Sequence, residues 1–237
     1  MNVFNLQKEL LGVNNTFVKA HYPLLSFEIE NFEEMQSNLV KQADFLEEKV
    51  DLSKLENTSA AGIGLSKNIT YLHSYVNFFD CRLFDDLFML LSDMCYEYQK
   101  DVYGIDEQLY CKAWINKLGV GDALARHAHC HDINGPIDKE VGVGFSLHLS
   151  IKADPNGYTY YVPVSNNMDK TLYNSGSHYK FNKPGSVTIF PSNLLHGTTP
   201  NLTPDPRYTL AMDMGAVNNG FEWRELTRSA SPNPESF

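Results

Sequence analysis

The chain has few basic residues and no run of them. It carries 19 lysines and arginines against 29 aspartates and glutamates, which gives a formal net charge of −10. A surface that binds duplex nucleic acid needs several Lys or Arg side chains facing the phosphates, because counterion release supplies most of that affinity. The composition therefore argues against duplex nucleic acid and other polyanions as partners, and it leaves small molecules open as substrates.

Paired cysteines and long apolar runs are also missing. The four cysteines (Cys81, Cys95, Cys111 and Cys130) form no C-x-x-C pair, which is typical of reduced thiols rather than of a disulfide framework or a zinc finger. The first residues, MNVFNLQKELLG, have no basic n-region and no long apolar h-region, and no stretch reaches 18 uninterrupted apolar residues. The sequence predicts a cytoplasmic protein without a membrane span.

The length of 237 residues and a hydrophobic content of 43% fit one domain with a buried core. Residues 31–50 and 79–99 have apolar side chains at three- and four-residue intervals, which predicts two amphipathic helices. The predicted buried edge of the second helix is Leu83, Leu87, Leu90, Leu91, Met94 and Tyr98, with Gly104 after its end. The predicted organisation is a single domain over 1–237, with a mainly helical part (1–105), a core (106–217) and a polar tail (218–237).

The core is predicted to be built from short strands. Strands are predicted over residues 109–118, 123–131, 141–151, 158–164, 186–190 and 207–214, each bounded by Gly, Pro or Asn turns. Many short, evenly spaced strands are typical of a barrel or jelly roll. The fold class predicted is mainly β with N-terminal helices, a jelly-roll, cupin-like barrel flanked by those helices.

Three histidines occupy alternate positions in the second of these strands. His127, His129 and His131 share one face of the predicted strand. Imidazole suits iron, zinc, copper or nickel, so two of these side chains can converge on one ion. A polar, solvent-facing strand edge is the plain alternative, but three of the chain's eight histidines in five residues favour a metal site. A further ligand must then come from another strand.

A later segment supplies a candidate for that ligand. His196 follows a turn and precedes Gly197, and Arg207 comes eleven residues later, at the start of a strand. The inward face of that strand would carry Arg207, Thr209, Ala211 and Asp213. Taken singly, His196 would be read as a turn histidine and Arg207 as part of a surface ion pair.

Together, residues 109–215 resemble the iron(II)/2-oxoglutarate-dependent oxygenases. The likeness is to small oxygenases common in phages and marine bacteria, which carry a W-x-N strand, an H-x-H pair and a late F-P-S-x-L-x-H-G…R segment. Here these motifs stand at residues 114–116 (WIN), 127–129 (HAH) and 190–197 (FPSNLLHG), followed by Arg207.

The resemblance implies a double-stranded β-helix that uses iron(II), 2-oxoglutarate and O2 to oxidise a substrate, with hydroxylation of a small molecule or side chain as the default. It implies that His196 is the distal metal ligand and that Arg207 grips the far carboxylate of 2-oxoglutarate. A planar guanidinium binds carboxylate bidentately, which agrees with that role. Thr209 and Asn116 are further candidates for cofactor binding.

The chain departs from the family pattern at one metal ligand. No H-x-D or H-x-E occurs in residues 120–135, and His129 stands where the carboxylate is expected. The predicted ligands are therefore His127, His129 and His196. The pair His129 and His131 is an alternative, and so is Asp132, which a β-bulge would have to bring round to the same face.

Two rival functions remain at this point. A cupin-like three-His dioxygenase would not use 2-oxoglutarate, and the offset of Arg207 after His196 argues against it. A non-catalytic jelly-roll binding module would not need the His and Arg set. A small-molecule substrate is expected, no membrane partner is expected, and a homodimer is left open. Ser146, His148, Tyr160 and Tyr161 are polar positions that could complete the pocket, whereas Trp114 is expected in the core.

Overall fold

The computed structural model describes residues 2–11, 17–54, 62–63, 68–129, 143–162, 178–218, 220 and 222–228. The helices in these ranges are α1 (Phe32–Lys49) and α2 (Asp85–Tyr98), which continues as a π-helical turn (Gln99–Tyr103). Short 3-10 turns lie at Leu52–Lys54, Ile69–Ser74 and Phe78–Cys81. The strands are β1 (Asn2–Leu11), β2 (Phe17–Glu28), β3 (Gly62–Ile63), β4 (Tyr110–Leu118), β5 (Ala123–Leu124), β6 (Val143–Lys152), β7 (Tyr158–Val162), β8 (His178–Phe181), β9 (Ser186–Pro191), β10 (Leu195–Thr198), β11 (Arg207–Gly215) and β12 (Arg224–Glu225).

Two antiparallel sheets form the barrel. The major sheet has seven strands in the order β1-β2-β9-β6-β11-β4-β12, and the minor sheet has three in the order β10-β7-β8. β3 and β5 form a separate two-stranded ribbon. The sheets face each other, because Tyr22 and Leu24 of β2 and Phe190 of β9 share a buried cluster with Tyr161 of the minor sheet and Leu194. This is the double-stranded β-helix that the sequence predicts.

The two faces of the major sheet differ in polarity. One face packs against the helices in a large apolar core that contains Leu147, Leu149, Ile189, Leu210 and Met212 together with residues of α1 and α2. Successive side chains of a strand point to opposite faces, so the intervening residues point into the barrel. Those inward positions are mostly small or polar and include Ser146, His148, Thr188, Thr209 and Asp213. The alternation therefore leaves a polar interior.

The first predicted helix is confirmed, and the second is shorter than predicted. Leu39 and Ala43 of α1 are fully buried. Residues 79–84 are not part of α2, which starts at Asp85 after a 3-10 turn. The buried edge predicted there is wrong at two positions, because Leu83 is 66% exposed and Leu90 is 38% exposed. Gly104, with φ of 68°, ends the π-helical turn.

Two long strands were missed in the part predicted to be mainly helical. β1 pairs with β2, and β2 pairs with β9, so residues before Glu28 extend the major sheet. β2 contains Pro23, and Leu24 and Leu25 are both buried, on opposite faces of the strand. With both faces covered, the polar–apolar alternation that identifies a strand is absent. β8 and β12 were also missed. The division of the chain into one domain remains a prediction.

The predicted strand over residues 123–131 is not continuous. Regular pairing stops after Leu124, and in the described residues that follow, up to His129, the pairing is an isolated bridge between His127 and His196. The side chains of His127 and His129 nevertheless point to the same side of the segment. Of the predicted free cysteines, Cys81, Cys95 and Cys111 are unpaired thiols; Cys130 lies outside the described residues. Among the described residues, no helix is long and apolar enough to cross a membrane.

Candidate metal centre

The side chains of His127, His129 and His196 converge. One ring nitrogen of each lies within 4.8 Å of the corresponding atom of the other two. Nε2 of His129 is 3.2 Å from Nε2 of His127, and the His127 and His196 ring centroids are 4.4 Å apart. Two ligands at right angles on a metal with bonds of about 2.1 Å would be roughly 3 Å apart, so this spacing suits a single ion.

Backbone hydrogen bonds fix the positions of these residues. The amides of His127 and His196 each donate to the carbonyl of the other, both at 2.9 Å. The amide of His129 donates to the Ser192 carbonyl at 3.0 Å, in the turn between β9 and β10. The segment that carries His127 and His129 is therefore tied to the strand that carries His196 even though it forms no regular strand.

Each imidazole also has a partner at Nδ1. Nδ1 of His127 lies 2.7 Å from the Ala125 carbonyl, and Nδ1 of His196 lies 2.9 Å from the Leu194 carbonyl. Nδ1 of His129 makes a short hydrogen bond with Oδ1 of Asp213, on β11. These three partners leave Nε2 of each ring to face the common point.

Burial keeps two of the three rings neutral. It lowers the pKa of His127, and the nearby His129 lowers it further. For His196 burial depresses the pKa well below its ordinary value, with His129 and His127 adding to the effect. Protonation of one ring would place a positive charge beside the others in a poorly solvated space. Neutral imidazole is the form that binds a metal ion.

The side chain of Arg207, at the start of β11, is buried and has no hydrogen-bond partner among the described residues. The residue is 1% exposed, and Nε, Nη1 and Nη2 are all unpartnered in the part of the chain that the structure describes. Burial lowers its pKa to about 10, against the opposing effect of Asp154. An unpaired buried guanidinium is costly unless an anion joins it. A Cβ on Gly157 would lie 3.1 Å from Nη1, so a glycine here gives the guanidinium its room.

Lys180, on β8, is a second cation inside the barrel, but it already has partners. Its ammonium donates to Thr188 Oγ1 at 2.6 Å, to the Val187 carbonyl at 3.0 Å and to the Ser26 hydroxyl. These bonds join the minor sheet to β2 and β9 of the major sheet. Of these two cations, Arg207 has hydrogen-bond donors with no acceptor among the described residues. Lys180 uses all three of its donors in bonds between the two sheets.

A cavity of about 590 Å³ opens over the three histidines. Its walls include the predicted cofactor-binding residues Thr209 and Asn116, together with Trp114 and His148. Trp114 was expected in the core, but its indole Nε1 donates to Asn116 Oδ1 at 3.1 Å and its ring lies 5.8 Å from that of His129. Arg207 is the first residue of β11, the strand that carries Thr209, and is not itself a wall residue.

Several wall residues were not predicted. Thr70, His73 and Lys112 line the cavity, and the Lys112 ammonium lies 5.9 Å from the Trp114 ring centroid and 3.8 Å from Glu222 Oε1. One face of β4 carries Lys112, Trp114 and Asn116, which occupy alternate positions of the strand. This alternation is the one feature of the sequence that could have predicted Lys112 as a wall residue. Thr70 and His73 come from a 3-10 turn that nothing in the sequence links to the barrel.

The polar residues that were predicted to complete the pocket have different surroundings. His148 and Tyr161 face each other, with the Tyr161 hydroxyl 3.0 Å from Nε2 of His148. Burial, reinforced by the cations of Lys180 and Arg207, lowers the pKa of His148 to about 3. Tyr160 packs against Gly197, where a Cβ would lie 2.5 Å from the tyrosine hydroxyl. His131 and Asp132, the alternative ligands, lie outside the described residues.

Comparison of sequences finds a short likeness to an enzyme. No protein-family model matches the chain. A 63-residue stretch is 35% identical to ectoine dioxygenase from Sphingopyxis alaskensis. That stretch covers 27% of this chain and 21% of the enzyme, so the match spans about a fifth of the curated relative's length.

Comparison of structures extends over most of the chain. EctD from S. alaskensis with 2-oxoglutarate and 5-hydroxyectoine matches with a TM-score of 0.55 and 18% identity, over 83% of this chain and 73% of that one. The same protein with bound Fe matches with a TM-score of 0.53 and 17% identity, over 81% and 72%. A Pseudomonas putida prolyl-4-hydroxylase matches with a TM-score of 0.50 and 10% identity, over 82% and 93%. The chain therefore shares the fold of EctD and of the prolyl-4-hydroxylase.

Proposed function

We propose that the chain is an iron(II)- and 2-oxoglutarate-dependent oxygenase that hydroxylates a small molecule or a side chain. One observation carries the proposal: three convergent imidazoles share a barrel with a buried guanidinium that has no partner in the described chain. The first group fits a metal ion and the second fits a carboxylate. The likeness to EctD, whose structure contains 2-oxoglutarate, supports this pairing.

His127, His129 and His196 would hold the iron through Nε2. All three face one point and have their Nδ1 atoms occupied, so no rotation of the rings is needed. Three protein ligands leave positions on the metal for co-substrate and O2. Iron(II) with 2-oxoglutarate and O2 would supply the oxidising chemistry, and the chain supplies binding and orientation.

Arg207 would bind the carboxylate of 2-oxoglutarate that lies away from the metal. Its planar fork can donate two parallel hydrogen bonds to a carboxylate, and it is free to do so. The hydroxyl of Thr209, two residues along the same face of β11, borders the cavity and can donate a further bond. Asn116 is the register partner of Thr209 on β4 and would border the same co-substrate.

A three-His dioxygenase that does not use 2-oxoglutarate is the rival with the same metal ligands. Such an enzyme has no need for a buried arginine at the start of β11 whose guanidinium has no partner among the described residues. Maintaining that cation without a ligand costs folding free energy. Arg207 therefore favours the 2-oxoglutarate enzyme. Within this proposal the protein works in the cytoplasm, where reduced thiols and iron(II) persist, on a small substrate that fits the cavity.

The test is anaerobic titration of the iron-loaded protein with 2-oxoglutarate, followed by the metal-to-ligand absorption band. We expect one iron(II) per chain and a saturable band. Arg207→Ala should weaken 2-oxoglutarate binding by on the order of a hundredfold or more, because it removes the partner of a buried carboxylate. Arg207→Lys should restore part of the affinity, since an ammonium cannot make the forked contact.

Iron binding is the internal control, because Arg207 is not a ligand and both variants should keep one iron per chain. Arg228→Ala, which removes a half-exposed arginine that pairs with Asp106, controls for the loss of positive charge. Tight binding by Arg207→Ala would remove 2-oxoglutarate from the proposal. Wild-type protein that binds iron but gives no saturable band would favour the three-His dioxygenase.

A further inference from the structure

Asp213 is the one acid among the Nδ1 partners of the three histidines. Its Oδ1 accepts a short hydrogen bond from His129, whereas His127 and His196 bond to backbone carbonyls. Asp213 as a residue is 9% exposed, and the hydroxyl of the fully buried Ser146 donates to the same oxygen at 2.8 Å. Asp213 on β11 and Ser146 on β6 are register partners, so the sheet itself places the acid behind His129.

This hydrogen bond decides which nitrogen of His129 is protonated. An ionised carboxylate only accepts hydrogen bonds, so Nδ1 of His129 must carry the hydrogen. When the ring is neutral, as metal binding requires, Nε2 then holds the lone pair, and it lies 3.2 Å from Nε2 of His127. The opposite tautomer would place a hydrogen where the metal has to bind. A carboxylate accepts more strongly than a carbonyl, so this tautomer is held more firmly than those of His127 and His196.

The same carboxylate supplies a charge that the ligand set lacks. Three neutral imidazoles leave the two positive charges of the metal uncompensated, whereas a set with one carboxylate compensates one of them. Asp213 places one negative charge on the far side of a ligand ring. A hydrogen bond of this kind makes the imidazole a stronger donor to the metal.

We propose that Asp213 is the positioning residue of the metal centre: through His129 it supplies, from outside the ligand set, the negative charge and orientation that a direct carboxylate ligand would give. The proposal rests on the proposed function only in taking iron as the metal. It accounts for a histidine at the position where the family pattern has an acid.

The geometry also defines the competing role for this residue. Asp213 borders the cavity, so its carboxylate could instead bind the metal itself after His129 moves aside. In that case His129 would be dispensable and Asp213 would not. Variants at both positions separate the two roles.

The experiment compares Asp213→Asn, Ser146→Ala and wild type. Asparagine keeps the size of the side chain and removes its charge. Ser146→Ala removes the other hydrogen bond to the same oxygen and leaves the charge. Histidine tautomers are measured in the metal-free proteins by long-range ¹H–¹⁵N correlation spectra, and affinity for iron(II) alone is measured anaerobically by competition with a chromogenic chelator.

We expect wild-type His129 to be protonated at Nδ1 and Asp213→Asn to show a mixture of tautomers. Asp213→Asn should weaken iron binding by roughly 10–100-fold, as for other carboxylates behind a histidine ligand, and Ser146→Ala by only about twofold to threefold. Asp213→Glu, which keeps the carboxylate, should bind iron more tightly than Asp213→Asn and less tightly than wild type.

Three results would overturn the proposal. One is wild-type His129 protonated at Nε2, a measurement that needs no variant and holds even where Asp213→Asn does not fold. The second is unchanged iron affinity in Asp213→Asn. The third is a His129→Ala protein that binds iron as tightly as wild type, since Asp213 would then be a ligand. If wild-type protein shows no absorption band with 2-oxoglutarate, the proposed function is contradicted. The result for the His129 tautomer does not depend on that band.

Discussion

The three candidate ligands differ in how the chain supplies them. His127 and His129 lie two residues apart in an irregular segment, and His196 belongs to β10. His196 is also the most buried of the three, at 7% exposure. Without it, the two remaining imidazoles come from one segment only and cannot enclose an ion from a second side.

We therefore predict that His196→Ala abolishes stoichiometric iron binding, and that His127→Ala and His129→Ala do so as well. His178→Ala, on β8 of the minor sheet, is the control and should keep one iron per chain. Metal content after anaerobic loading and desalting is the measurement. If His127→Ala keeps iron and His131→Ala loses it, the ligand pair is His129 and His131 instead of His127 and His129. If Asp132→Ala loses iron, the ligand set contains a carboxylate.

At the scale of single residues, the sequence identifies those candidate site residues that belong to a motif. His127, His129, His196 and Arg207 stand in recognisable spacings, and the structure brings the three histidines together. Asp213 was placed on the inward face of its strand, but nothing in the sequence showed that it meets His129, 84 positions away. That contact depends on how β11 lies beside the irregular segment, which spacing along the chain does not encode.

At the scale of elements, the strands with one apolar and one polar face were predicted and those buried on both faces were not. β4, β6, β9 and β11 alternate clearly because one face meets the helices and the other lines the barrel. β2 has no such pattern, since Leu24 packs inside the barrel and Leu25 packs in the main core. Residues 79–84 were assigned to α2 because apolar spacing alone does not reveal a 3-10 turn.

The turn between β8 and β9 connects three elements through Gly185. This residue has φ of 81°, its amide donates to the Ser150 carbonyl at 2.8 Å, and its carbonyl accepts from the Ile29 amide at 2.9 Å. A Cβ here would lie 2.9 Å from Cβ of Phe32, the first residue of α1. Both the backbone conformation and the space therefore require glycine.

We predict that Gly185→Ala lowers the free energy of unfolding by roughly 2–4 kcal/mol, the sum of a left-handed conformation and a steric conflict with Phe32. Gly104→Ala is the matched control: its φ is 68° but no atom lies within 4 Å of the added Cβ. It should cost only about 1 kcal/mol. Urea unfolding measures both, and equal losses would show that the contact with Phe32 is unimportant.

At the scale of the whole molecule, the barrel interior collects ionisable groups that the folded state holds in one form. His148 is the clearest case, with burial lowering its pKa from 6.5 to about 3. Between these values the unfolded chain binds a proton that the folded chain does not. The stability that His148 contributes is therefore complete above pH 6.5 and declines as the pH falls towards 3.

We predict that the free energy of unfolding falls by on the order of a few kcal/mol through this group as the pH drops across that interval. His148→Gln, which keeps a polar partner for Tyr161 but does not titrate, should have a shallower dependence. The difference between the two unfolding curves isolates His148 from His127 and His196, whose pKa values burial also lowers. Parallel curves for the two proteins would contradict the assignment.

The paired backbone bonds between His127 and His196 have a consequence for the order of events in folding. The two histidines are 69 positions apart in the sequence, and closing so long a segment delays the contact that joins them. A growing chain that has not yet produced β10 contains only the His127 and His129 pair, which lacks the opposing ring. The pocket therefore arises when the barrel closes. On the proposed function, iron would enter a protein that has already folded rather than guide the folding of an unfolded one.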